Sequence, residues 1–163
     1  MTFQKLTPFV LGCVLSLGLV VSSADVANAH MVRASSPGTV VDALNEEGFD
    51  AQMDTSSSGR TRIRSSYGEV NFTIWFYGCD GDKENCTSLN FSAGFDLSDG
   101  SSYSEMNDWN RRKLVGRGYL DSEEDPFLDL YVAIDQGVSH EHFSDVLYDW
   151  TSALDEFSDF IDY

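Results

Sequence analysis

Basic residues are scarce in this 163-residue chain: ten Lys and Arg stand against 27 Asp and Glu, a formal charge of −17 at neutral pH. None of the ten lies beyond Arg117, while residues 118–163 carry 13 acidic side chains. That balance argues against nucleic acid and against anionic lipid as partners, because both demand a cationic surface. Long apolar runs are missing too. After residue 29 nothing approaches the roughly 18 residues of a membrane-spanning helix, so the mature chain reads as soluble, with no membrane partner. Catalytic motifs are equally absent: there is no nucleophile-elbow serine, no His-Glu metal pair and no glycine-rich phosphate loop. With no nucleophile and base to pair, the chain reads as a non-enzyme, and no cofactor is expected.

An export signal stands at the start. Lys5 supplies the positive end, Phe9 to Val21 forms an apolar run broken only by Gly and Ser, and Ala27-Asn28-Ala29 offers small residues for cleavage. The run is too short for a membrane anchor. Cys13 lies inside it rather than after it, with bulky Leu11 before, which disfavours lipidation. Residues 1–29 are therefore expected to be removed as a signal peptide, leaving 30–163 as one domain in the periplasm or secreted. Lys5 and Asp25 cancel, so the mature charge is unchanged.

Cys79 and Cys86 remain, enclosing Asp80-Gly81-Asp82-Lys83-Glu84-Asn85. In an oxidising compartment such a pair closes as a disulfide, and turn-forming residues between them predict a staple across two strand ends. The spacing is not that of a Cys-x-x-Cys redox pair. Asp80, Asp82 and Glu84 alternate like the opening of a calcium loop, but the glycine is misplaced and Phe91 stands where the bidentate Glu belongs. A solvated acidic turn fits better.

Periodicity predicts an α+β fold. Ser36-Pro37 opens a helix with Val40, Val41 and Leu44 on one face, ended by Gly48. Strands are predicted over Phe49 to Thr55, Thr61 to Ser66, Val70 to Tyr77 and around Leu89, Phe91 and Ala93. A middle helix covers Ser104 to Arg112, closing in Arg111-Arg112-Lys113, where cations suit the helix dipole. Strands over Val115 to Asp121 and Phe127 to Asp135 follow. The last segment is an amphipathic helix with Phe143, Val146, Leu147, Trp150, Leu154, Phe157 and Ile161 in one stripe. No repeat, long linker or second domain is visible; the helices are expected to pack on one antiparallel sheet.

Ser88-Leu89-Asn90-Phe91-Ser92-Ala93-Gly94-Phe95, then Met106-Asn107-Asp108-Trp109-Asn110, then Gly118-Tyr119-Leu120-Asp121 and the Trp150 helix together resemble the YbjN-like proteins, described as bacterial sensory transduction regulators. The resemblance covers nearly the whole mature chain. It implies a fold similar to type III secretion chaperones, in the order helix, strands, helix, two strands, helix. It also implies a binding module that can dimerise. The chain departs from the family pattern at Lys113-Leu114, where Arg-Phe is expected, and in its export signal.

Several residues are candidate contacts. Asn107, Trp109 and Asn110 near a helix–strand junction either hold a ligand, by stacking and paired amides, or pack the core and bridge loops to the sheet. Arg60, Arg62 and Arg64 share one face of a strand and either grip an anion or pair with acids on neighbouring strands. Asp155, Glu156, Asp159 and Asp162 crowd the end of the last helix, either as a solvated face or towards a basic partner or cations. For copper, His30 becomes the amino terminus on cleavage after Ala29, and its amine and imidazole chelate Cu(II). His140 and His142 would join it only from a loop, because on a helix they diverge. The expectation is an exported, non-enzymatic module that binds a protein or peptide, in an envelope-sensing, regulatory or stress role. A copper- or calcium-binding periplasmic protein is the alternative, and a purely ancillary domain a third.

Overall fold

The structure, a computed structural model, describes residues 31–163. The segment expected to be an export signal and His30 lie outside the described residues. Strand β1 (Met31–Val32) pairs antiparallel with β8 (Val138–Ser139) in a small ribbon that no sequence pattern announced. Helix α1 (Pro37–Glu46) begins where proline loses no hydrogen bond, and it buries Val40, Ala43 and Leu44. Gly48, at φ +89°, ends it by letting the Phe49 N–H turn back onto the Leu44 carbonyl at 2.9 Å. That bond consumes the Phe49 amide. The strand expected from Phe49 is therefore shorter, and β2 spans only Gln52–Thr55.

Strands β3 (Thr61–Tyr67), β4 (Val70–Tyr77) and β5 (Ser88–Gly94) follow as a meander. Helix α2 (Tyr103–Arg112) starts with a capping box. Ser102 Oγ accepts the Glu105 N–H at 3.2 Å, and the Glu105 carboxylate accepts the Ser102 N–H at 2.8 Å. Strand β6 is Arg117–Leu120, shorter than the expected Val115 to Asp121, because the Gly116 carbonyl accepts from the Trp109 indole rather than from a strand. Strand β7 takes Pro126 as its first residue and ends at Ala133. Helix α3 (His140–Phe160) starts earlier than its apolar stripe, because Ser139 Oγ caps it on the His142 N–H.

The main sheet runs β2-β3-β4-β5-β7-β6, antiparallel throughout. One face carries Ile63, Phe72, Ile74, Phe76, Leu89, Phe91 and Leu128, all buried. Helix α3 lies on it: Trp150 packs on Phe72 and Phe91 at 5.8 and 5.6 Å, and Phe157 packs on Phe95 and Trp109 at 5.4 and 4.9 Å. Each such buried aromatic contributes heavily, since truncation to Ala costs about 3–5 kcal/mol. The opposite face carries Arg62, Arg64, Thr73, Trp75, Asn90, Ser92 and Tyr131, polar or half-exposed groups. The fold is α+β; the helices and the main sheet follow the order implied by the resemblance, with the β1–β8 ribbon in addition. No helix among the described residues is long and apolar enough to cross a membrane.

Candidate functional site

The two edges of the six-stranded sheet are finished differently. On β6 the hydrogen-bonded residues alternate, so Gly118 turns its backbone away from β7. The side chain of Asn110, from α2, meets it there. Asn110 Oδ1 accepts the Gly118 N–H at 2.9 Å and Nδ2 donates to the Gly118 carbonyl at 2.9 Å. A primary amide thus makes the two bonds that a neighbouring strand would make. The approach is possible because residue 118 is glycine: a Cβ there would lie 3.0 Å from Trp109 Cδ1 and 3.2 Å from Met106 Sδ. This edge is closed at its centre.

The β2 edge is open. Ser56 N–H donates to the Arg60 carbonyl at 2.9 Å and sets the ladder, so Asp54–Arg62 and Gln52–Arg64 are the bonded pairs. The backbone groups of Met53 and Thr55 therefore point outward. Among the described residues no element pairs with that side. The Met53 side chain is 53% exposed. It overhangs a groove of about 490 Å³ between the start of α1, β2 and the cysteine loop, lined by Pro37, Met53, Thr55, Phe76, Lys83 and Cys86 among others.

On the other side of β2 the arginine row meets a single carboxylate. Arg62 Nε lies 2.6 Å from Asp54 Oδ1 and Arg64 Nη2 lies 2.9 Å from Asp54 Oδ2. The Arg62 hydrogen bond, reinforced by the charges of Arg62 and Arg64 against some desolvation, holds Asp54 below the usual carboxylate range. Arg60 turns the other way, with its guanidinium 4.5 Å over Tyr77 and 5.0 Å over Trp75. Among the described residues Arg60 has no carboxylate partner. The row thus both pairs with an acid on the neighbouring strand and keeps unneutralised charge.

Trp109 is buried and its Nε1–H donates to the Gly116 carbonyl at 2.9 Å, so its ring packs the core rather than presenting a face to a ligand. Asn110 bridges helix to sheet, and Asn107 is exposed on α2. The cysteines are joined, stapling the end of β4 to the approach of β5. Within their loop Asp80 accepts the Asp82 and Glu84 N–H groups at 3.1 and 3.0 Å and the Asn85 Nδ2 at 2.7 Å. The Asn85 bond leads the causes that lower the Asp80 pKa. Its carboxylate is spent on shaping the turn.

Among the described residues no group of three or more His, Cys, Asp or Glu is placed to hold a metal ion. His140 and His142 stand in the first turn of α3, not in a loop, so the condition for their joining His30 is not met. His140 instead faces Glu46 at 3.0 Å. Of the acidic helix end, Asp155 accepts the Tyr67 hydroxyl at 3.3 Å and Glu156 meets Lys113 at 2.7 Å. The sequence reading missed Met53 and the open edge. The available signal was a predicted strand, Phe49 to Thr55, without the proline or lysine that often guards an edge. It also missed Asp129, buried beneath Arg117 at 2.9 Å and Tyr119 at 3.5 Å, where burial, aided by the Asp129 charge, pushes the Tyr119 hydroxyl up.

Among the described residues, three helices on one face of an antiparallel sheet, with one edge capped by Asn110 and the other unpaired, define a small α+β domain. The chain belongs to the YbjN family, whose model matches residues 36–162 and is described as "Putative bacterial sensory transduction regulator". No curated protein and no solved structure matches the chain.

Proposed function

We propose that the chain is an exported, non-enzymatic binding module that takes up an extended segment of a partner protein, adding it as a strand along β2. Its setting in this reading is envelope sensing, regulation or stress response, of which the family's description supports the sensory and regulatory part. The observation that carries this reading is the contrast between the edges: Asn110 occupies the pairing position beside Gly118, while Met53 and Thr55 offer theirs outward. Strand addition draws affinity from main-chain bonds and specificity from pockets for alternate side chains. The groove under Met53 supplies such a pocket. In this reading Trp109 and Asn110, both bonded within the fold, act as structural residues.

The test uses peptides selected from a random display library against the disulfide-bonded chain. Met53→Pro removes an outward N–H without touching the β2–β3 ladder, a place where edge strands tolerate proline. Binding should be lost in Met53→Pro at unchanged melting temperature, and only weakened in Met53→Ala, which keeps the N–H but trims the groove. Equal binding by wild type and Met53→Pro would refute strand addition at β2.

A further inference from the structure

We infer that the segment received at β2 is amphipathic in a defined sense, acidic at the alternate positions facing the arginines and apolar at those facing the groove. This rests on the strand-addition reading and adds the chemistry of the partner. Arg62 and Arg64 both reach outward across the sheet to Asp54, a residue of the edge strand itself. Two guanidiniums there share one carboxylate, and Arg64 remains 54% exposed. A strand added beyond β2 would lie about 4.8 Å further out, within reach of an arginine side chain already extended in that direction. A carboxylate on it gives each guanidinium an acid of its own where the two now share Asp54, in the planar geometry that arginine favours.

The other side of the edge asks for something different. The groove combines the apolar side chains of Pro37, Met53, Phe76 and Cys86, the last two buried, with polar ones such as Lys83 and Glu84. Side chains of an added strand alternate between the two sides, so one residue set meets guanidinium and the next meets apolar surface.

The rest of the molecule sharpens the choice. Helix α3 carries Glu141, Asp145, Asp149, Asp155, Glu156 and Asp159 and no Lys or Arg. An acidic segment is repelled along that layer and attracted at the arginine row, and this repulsion elsewhere is itself a source of specificity.

Library selection against the disulfide-bonded chain provides the probes, and fluorescence anisotropy of the selected peptides measures them. Asp and Glu should be enriched at every second position, with apolar residues between. Arg62→Gln/Arg64→Gln should weaken those peptides about ten-fold or more, and Asp54→Asn should tighten them by freeing both guanidiniums. Replacing the peptide's own Glu by Gln should weaken binding without touching the protein. Peptides that are neutral or basic at those positions, or that bind the double variant as well as wild type, would overturn the acidic partner. If Met53→Pro still abolished their binding, strand addition would stand and only its chemistry would fall. A library that yields no binder would overturn both.

Discussion

Asn110 holds both backbone polar groups of Gly118, its Oδ1 accepting from the N–H and its Nδ2 donating to the carbonyl, each at 2.9 Å. A single helical side chain thereby takes the place of a seventh strand on the β6 side of the sheet. The β2 side has no such device among the described residues, and the functional reading turns on that difference.

Asn110→Ala leaves the Gly118 N–H and carbonyl without their partners in a buried position. Equilibrium urea unfolding should show a loss of about 1–3 kcal/mol. The same variant exposes a second open edge, so sedimentation velocity should show more self-association than wild type at equal concentration. A fully stable, monodisperse Asn110→Ala would contradict the capping account.

Gly118→Ala tests the close approach of α2 and α3 to β6. The new methyl would sit 3.0 Å from Trp109 Cδ1 and 3.2 Å from both Met106 Sδ and Phe157 Cε2. Overpacking of this kind costs about 1–3 kcal/mol, read as a lower melting temperature. The rings around Trp109 should shift in the near-ultraviolet circular dichroism spectrum.

Much of the fold was legible in the sequence because it follows local periodicity. The apolar stripe of α3, strand β4 over Val70–Tyr77 and the Cys79–Cys86 turn all depend on residues close in the chain. The candidate site depends on strand order instead. That β2 stands at an edge, and that β7 rather than β6 sits beside β5, comes from pairings between distant segments. The arginine row was visible as spacing, but the identity of its one acid, Asp54, required the β2–β3 register. Strand ends were misread where a backbone group was taken by a helix, as at Phe49 and Gly116. The start of α3 hid in the polar run His140-Glu141-His142, which carries no apolar signal.

Reduction of Cys79–Cys86 frees the loop that forms one wall of the groove. Cys79→Ser/Cys86→Ser should lose about 2–3 kcal/mol, as expected for closing so short a loop. Selected peptides should bind it more weakly than wild type even at temperatures where both are folded. Unchanged affinity would remove the loop from the binding surface.

Acid should loosen α2 at its start. The Ser102 side-chain and backbone hydrogen bonds hold Glu105 below its ordinary pKa of 4.5. A folded-state value lowered in this way contributes stability that is present above the ordinary value and is lost as pH falls through the folded one. Carboxyl resonances followed by NMR should therefore show Glu105 titrating below free Glu, and Glu105→Gln should flatten the acid limb of stability. A Glu105 midpoint at or above 4.5 would contradict the capping box.

The most direct measurement is amide hydrogen exchange by NMR at β2, with and without a selected peptide. In the free chain Met53 and Thr55 should exchange much faster than Gln52 and Asp54, whose amides belong to the β2–β3 ladder. With peptide bound, Met53 and Thr55 should become protected while the Gly118 amide, already bonded to Asn110, stays as it was. Protection that appears elsewhere and leaves Met53 and Thr55 fast would contradict strand addition at this edge.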